Sequence, residues 1–443
     1  MSDDNTINKW LAERNIEDVE AFLPDMAGVA RGKLMAADSF GSGDTKMPEG
    51  IFGQTITGQY VKDEANVEDR DMVLEPDAST LRVVPWAASP AASIFMDCFK
   101  KDGTPVATSP RQVLKNVLSL YEEQGWTPVV APEVEFYLIS ATQEEGEEVE
   151  PPDGRLGRTE AANQPFSIDA MNEYDPFINQ VYEFCEAQDI RIDTLSQEMG
   201  PAQFEINFDH GDAVQLSDQV LLFKRTVKEA AILHGMYATF LARPLSEEAG
   251  SALHIHQSVV DKDGNNIFSL EDGEASNYFG WYIGGLQKYM PHALLLFAPY
   301  SNSYRRFLSY WSSPVNLEWA VDNRTCGLRV PDSGPEARRV ENRLAGSDVN
   351  PYLAMAGTLA CGYLGMMEKV KPRDAIEGSA YDLPFTLHRH LYSALDAFEN
   401  SAEMRRVPGD SFVNLYSLLK TDEYREFQEI VTQWERDILM YNV

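Results

Sequence analysis

Apolar positions along the chain change their period several times, and each change marks an element. Near the start, Ile7, Trp10 and Leu11 recur at steps of three and four, which predicts a short amphipathic helix. Short β-like runs separated by Gly, Pro and Asp then continue to about residue 105, predicting a small sheet-rich unit. In "TSPRQVLKNVLSLYEEQGW" the period lengthens again. Ser109 suits a helix cap and Pro110 the first turn; Val113, Leu114, Val117 and Leu118 share a face, and Gly125 ends the run. A domain boundary is therefore expected there, dividing the chain into 1–106 and 107–443. Beyond it, strand patterns such as "TPVVAPEVEFYLI" and "GPAQFEINF" alternate with helical ones such as "LSDQVLLFKRTVKEAAILHG". That order predicts an α+β domain on a large, mainly antiparallel sheet. The uncharged run 351–367, "PYLAMAGTLACGYLGMM", is slightly short of a membrane span. It reads as a buried helix capped by Asn350, with Pro351 at its first position.

Composition adds limits rather than elements. With 443 residues, 44% apolar and 24% charged, the chain can bury a substantial core and is neither disordered nor fibrous. Its 37 Lys and Arg against 70 Asp and Glu leave a net charge of −33, which repels nucleic acid and anionic membrane surfaces. Cys98, Cys185, Cys326 and Cys361 fit neither a zinc pattern nor a small secreted disulfide framework, so thiols in a reducing cytoplasm are expected. "MSDDNTINKW" lacks a basic segment followed by an apolar core, so no secretory signal is expected. The acidic segment 142–155 reads as a solvated loop without a functional role.

The chemistry lies in paired carboxylates. Glu133 and Glu135 in "APEVEFYL" stand two apart on a strand and point to one face, in surroundings apolar enough to bury it in part. A solvated strand face explains a single acid there better than a pair, whereas a cation between them explains both. "SQEMGPAQFEINF" adds Glu198 and Glu205 on either side of a Gly-Pro turn, and "GSALHIHQS" places His254 and His256 two apart. An HxH alone also describes two satisfied core histidines. Oxygen-rich sites with a single His favour Mg²⁺ or Mn²⁺ over Zn²⁺. "GPEARRVENRLAG" sets Glu341 among Arg338, Arg339 and Arg343, which alone fits a surface ion-pair network. Arg305, Arg306, Arg324 and Arg329 add groups suited to phosphate and carboxylate. Several acids for two hard cations, with several arginines for phosphoryl oxygens, are what ATP-dependent phosphoryl transfer requires. "GVARGKL" (28–34) has too few residues between its glycines and no Ser/Thr after Lys33, so it is not a P-loop.

Taken in order, "RGK", "PDASTLRVVPW", "APEVEF", "QEMGPAQFE", "GSALHIHQS", "PYSNSYRRF", "DNRTCGLRVP" and "ARRVENR" resemble the glutamine synthetase family over nearly the whole chain. The resemblance implies an N-terminal β-grasp domain, a catalytic domain, and subunits in a six-membered ring with each site between neighbours. It implies one metal on Glu135, Glu198 and Glu205 and another on Glu133, His254 and Glu341. His256, Ser258, Arg324, Arg329 and Arg339 would face ATP and its transferred phosphate, while Gly250, Arg306 and Arg343 would hold glutamate. ATP then phosphorylates the γ-carboxylate, and an amine attacks the γ-glutamyl phosphate.

Departures from the family pattern bear on the amine. Ammonia users carry an acidic "DGSS" loop, where this chain has "GIFGQTITGQY" (50–60) with Gly53 and Gln54 in that region. They also carry a flap Glu, whose slot here is Ser312, preceded by Trp311 in place of a tyrosine. A general base contributes about 10²- to 10⁴-fold, or roughly 3–5 kcal/mol, so losing both acids is expected to cripple ammonia chemistry. Trp311 and Tyr310 offer an apolar and cation–π wall to a larger amine, or else simply pack the flap. A bulky-amine ligase of the γ-glutamylamine branch is the leading expectation, with a lean toward a monoamine over a polyamine. An ammonia-using glutamine synthetase and an inactive ring-forming scaffold are the alternatives; the first lacks its acids, and the second would have eroded its metal ligands. Tyr381 stands where some family members are adenylylated, although the residues before it differ.

Overall fold

The computed structural model describes residues 2–41, 45–61, 68–141, 149–307 and 313–443. Six strands form the first sheet: β1 (Asp18–Pro24), β2 (Ala30–Ala36), β3 (Thr45–Pro48), β4 (Asp71–Pro76), β5 (Arg82–Val83) and β6 (Ala91–Phe99). Their order is β2-β1-β6-β4-β3, with β5 on β6; β1 and β6 run parallel at the centre, in a β-grasp arrangement. The helix Ser2–Glu13 buries Ile7 and Leu11, as its spacing predicts. The glycine-containing "GVARGKL" is the β1–β2 turn and β2 itself.

The second sheet has eight strands: β7 (Trp126–Ser140), β8 (Ile192–Gln197), β9 (Gln203–Phe208), β10 (Met236–Thr239), β11 (Leu253–Asp261), β12 (Trp319–Val321), β13 (Leu328–Val330) and β14 (Val340–Asn342). Their order is β12-β13-β14-β11-β7-β9-β8, with β10 on β7, and only β12–β13 is parallel. Side chains alternate along β7. Val134, Phe136 and Leu138 are buried against helices, and the Phe136 ring meets Phe177 of helix Asp175–Ala187 and Phe223 of helix Ala213–Leu233. Glu133 and Glu135 therefore point the other way.

Helix Pro351–Glu368 is buried almost throughout. Asn350 caps it by accepting from the amides of Tyr352 and Leu353, and its own amide donates to Asp25 O at 2.8 Å, tying the helix to the end of β1. Ser109 does not cap. Helix Pro110–Glu122 starts at the expected place, but the Ser109 hydroxyl bonds the Cys98 thiol instead. Buried Arg111 then ties the first sheet to helix Ala213–Leu233, bridging Asp77 and Asp97 on one side and Asp218 on the other at 2.6, 2.6 and 2.9 Å.

Helix Asp410–Gln428 returns to the segment between β3 and β4, where Ile56 N donates to Glu423 Oε1 and Thr57 Oγ1 to Glu426 Oε2, both at 2.8 Å. The four cysteines are buried and free. Residues 142–148 lie outside the described residues, and 149–155 are only partly solvated, because Pro152 and Gly154 are buried. Among the described residues no helix is long and apolar enough to cross a membrane.

Candidate active site

Strand register builds the site. Glu133 on β7 is opposite His254 on β11 and Asn207 on β9, Glu135 is opposite Glu205 on β9, and His256 is opposite Glu341 on β14. Glu341 is in turn opposite Arg329 on β13. Each of these positions recurs two residues apart, so period-2 alternation places them all on one face. Glu198 joins from the turn between β8 and β9, where its N–H donates to Gln203 O at 2.8 Å.

The ligand atoms fall into three overlapping groups, each within 4.8 Å: Glu135, Glu198 and Glu205; Glu133, Glu205 and His254; and Glu133, His256 and Glu341. His254 Nδ1 is 3.2 Å from Glu133, 3.7 Å from Glu341 and 4.0 Å from Glu205. The sequence-predicted ligand sets therefore converge. His256, expected on the nucleotide, is also drawn in, with Nε2 2.9 Å from Glu133 Oε1. Arg339 Nε donates to His256 Nδ1 at 3.2 Å, so Nδ1 is the acceptor and Nε2 is the nitrogen turned to Glu133.

The electrostatics divide this face in two. On one side, burial and then the neighbouring carboxylates push Glu205 up to about 10; burial and Glu198 push Glu135 up to about 8, and burial also raises Glu198. Acids so crowded favour a divalent cation among them over three separate protons. The hard oxygen donors with one or two imidazoles fit Mg²⁺ or Mn²⁺. On the other side, cations already hold the charge. Burial opposes ionisation of Glu133 and Glu341, yet hydrogen bonds from His254 and His256 hold Glu133 well below the usual range, and Arg343 leads the groups that lower Glu341 to about 2. Glu341 accepts from Arg329 at 2.8 Å and from Arg343. Burial, then Arg343, lowers His254 to about 4, keeping it neutral and able to ligate.

The remaining expected residues border this face. Ser258 follows His256 by two on β11, half-buried. Arg324 is exposed, yet close enough to favour the charged form of Glu198. Arg306 is buried, and its two terminal nitrogens donate to Leu344 O at 2.9 Å and Arg343 O at 2.7 Å. Gly250 packs on it so closely that an added Cβ would meet Arg306 Cγ and Ala242 O at 2.6 Å. Half-buried Tyr381 lies where Arg343 and Arg306 act on it. Tyr310, Trp311 and Ser312 lie outside the described residues. Asn207, which none of the sequence motifs singles out, donates to Glu133 Oε1 at 3.0 Å. Its signal was the alternation Gln203, Glu205, Asn207, which puts three polar groups on the site face.

Residues 107–439, three quarters of the chain, match the glutamine synthetase catalytic domain. The chain belongs to the glutamine synthetase family. Within it, the chain is 33% identical over 442 residues to gamma-glutamylputrescine synthetase PuuA of Escherichia coli, covering 97% of this chain and 92% of that protein. It is 30% identical over 459 residues to a glutamate–isopropylamine ligase of a Pseudomonas species, covering 98% of each. The solved structure described as apo GmaS without ligand superposes with a TM-score of 0.84 at 26% identity, covering 98% of this chain and 99% of that one. This family member thus aligns nearly end to end with relatives whose names carry putrescine and isopropylamine.

Proposed function

We propose that this chain is an ATP-dependent ligase joining the γ-carboxylate of glutamate to a primary amine larger than ammonia, through γ-glutamyl phosphate. The observation that carries the reading is the single sheet face on which Glu133, Glu135, Glu198, Glu205, Glu341 and His254 converge beside Arg329, Arg339 and Arg343. The choice of acceptor rests on the segment 50–61, which contains no carboxylate, and on relatives named for putrescine and isopropylamine. An inactive scaffold would have no reason to keep six potential ligands in contact.

Two divalent ions, Mg²⁺ or Mn²⁺, are assigned to Glu135, Glu198 and Glu205 and to Glu133, His254 and Glu341. When bound they supply positive charge against the nucleotide's phosphates. His256, Ser258 and Arg329 line the ATP side. Arg324 and Arg339 face the phosphoryl group in transfer, where fixed guanidinium groups stabilise developing charge. Gly250, Arg306 and Arg343 hold glutamate. The γ-carboxylate oxygen attacks the γ-phosphorus of ATP and ADP leaves. The amine nitrogen then attacks the γ-carbonyl carbon, phosphate leaves, and an amide bond forms. An aliphatic amine is mostly protonated at pH 7, so it gives up a proton before attack. Trp311 and Ser312 are assigned to the acceptor side from the sequence alone.

Residues 1–106 and 107–443 are assigned as the two domains, supported by two separate sheets within 18–99 and 126–342. A cytoplasmic six-membered ring, single or stacked, with sites between subunits, rests on the family resemblance. The test is ADP release with glutamate and ammonium, methylamine, putrescine, spermidine, ethanolamine or phenylethylamine-type compounds. The highest kcat/KM with ammonium would overturn the reading.

A further inference from the structure

Gln203, at the start of β9, is 1% exposed and touches three parts of the site. Its Oε1 accepts from Gly200 N at 2.9 Å, inside the turn that follows Glu198. A main-chain N–H only donates, so this contact fixes the orientation of the amide and turns both Nε2 hydrogens the other way. There Nε2 donates to Gly250 O at 3.1 Å and, over longer contacts of 3.4 Å, to Ser251 Oγ and Glu135 Oε2. Glu135 Oε2 also accepts from Ala252 N at 2.8 Å. Two donors thus converge on Oε2 of a carboxylate whose ligand atom lies within 4.8 Å of those of Glu198 and Glu205.

The neighbourhood holds this arrangement from both sides. Tyr137 OH donates to Ala249 O at 2.8 Å, latching the same loop one residue earlier. Gly200 lies flat against that ring; a Cβ there would stand 1.9 Å from the Tyr137 hydroxyl. The turn carrying Glu198, the loop carrying Gly250 and the carboxylate of Glu135 therefore share the Gln203 amide as their common partner.

We propose that Gln203 is a positioning residue that couples the metal centre to the glutamate loop. It holds the Glu135 carboxylate at Oε2 and the Gly250 carbonyl through the same Nε2. The inference rests on the assignment of Glu135 to a metal and of Gly250 to glutamate. Partners of metal ligands at one remove typically change metal affinity or activity by 10- to 100-fold when mutated.

The test is Gln203→Met, which keeps length and burial but removes both the acceptor and the donors. Mn²⁺ binding measured by calorimetry is expected to weaken about 10- to 100-fold, with a parallel rise in the KM for glutamate and no change in the KM for the amine. Tyr137→Phe, which deletes the hydrogen bond to Ala249 O and keeps the ring packed on Gly200, is expected to raise the glutamate KM and leave Mn²⁺ binding as it was. A Gln203→Met protein with wild-type Mn²⁺ affinity and glutamate KM would overturn the inference alone, even with a lowered Tm. Wild-type protein that binds no Mn²⁺ would overturn the site reading and this inference with it. If Gln203→Met does not fold, exchange of the Gly200 amide hydrogen in the wild type decides: Mn²⁺ and glutamate together slow it if the coupling exists, and unchanged exchange overturns it.

Discussion

Glu135 and Glu205 are direct register partners on β7 and β9, two carboxylates facing each other in the middle of a sheet. Burial and its neighbours push Glu205 up to about 10, and burial with Glu198 pushes Glu135 up to about 8, from ordinary values of 4.5. Between these limits the folded, metal-free protein holds protons that the unfolded chain has released. The stability this gives is complete at low pH and is lost as pH rises through the folded values. Calorimetric Tm is therefore expected to fall between pH 6 and 9 in the absence of metal. Saturating Mn²⁺, at 100 times its Kd, adds about 2.7 kcal/mol per site and flattens the slope. A metal-free Tm that rises over this range would contradict the assignment.

Gly250→Ala tests the packing around Arg306. The new Cβ would sit 2.6 Å from both Ala242 O and Arg306 Cγ, and the carbonyl cannot move without shifting the chain. Overpacking of this kind costs about 1–3 kcal/mol. The variant is expected to fold with a lowered midpoint in urea and a glutamate KM at least tenfold higher. The KM for ATP stays near wild type.

Glu423→Ala tests the attachment of the loop 54–61. Glu423 pairs with fully buried Lys420 at 2.7 Å and accepts the Ile56 amide, so its loss strands a buried cation and a main-chain donor together. Breaking one partner of a buried pair costs roughly 3–5 kcal/mol. Denaturant melts are expected to show that loss, with faster hydrogen exchange at Ile56. A change under 1 kcal/mol would contradict the pairing as a stabilising contact.

Ser312→Glu restores an acid at the flap position where ammonia users carry one. Selectivity, measured as the ratio of kcat/KM for ammonium and the best amine, is expected to shift toward ammonium by at least tenfold. Unchanged selectivity would remove Ser312 from the acceptor site.

Much of this was legible in the sequence because periodicity records which face a residue occupies. The pair Glu133 and Glu135, the pair His254 and His256, and the Asn350 cap with Pro351 all landed as their spacing predicts. What spacing does not record is register between strands. Nothing in "SALHIHQS" says that His254 rather than His256 lies opposite Glu133, or that His256 shares Glu341 with Arg329. Gln203 and Asn207 were visible as polar residues alternating with Phe and Ile, yet their partners are 68 and 74 residues away. Ser109 shows the opposite case. A residue ideal for capping turns instead to the thiol of Cys98 on β6.

The central claim is that phosphorylated glutamate is delivered to an amine larger than ammonia. A competition in one vessel tests it most directly: enzyme, ATP, glutamate and Mg²⁺ with equal concentrations of ¹⁵N-ammonium and the best amine from the panel, the products counted by mass spectrometry. The γ-glutamylamide is expected to exceed labelled glutamine by at least a hundredfold, and labelled glutamine as the main product would contradict the account.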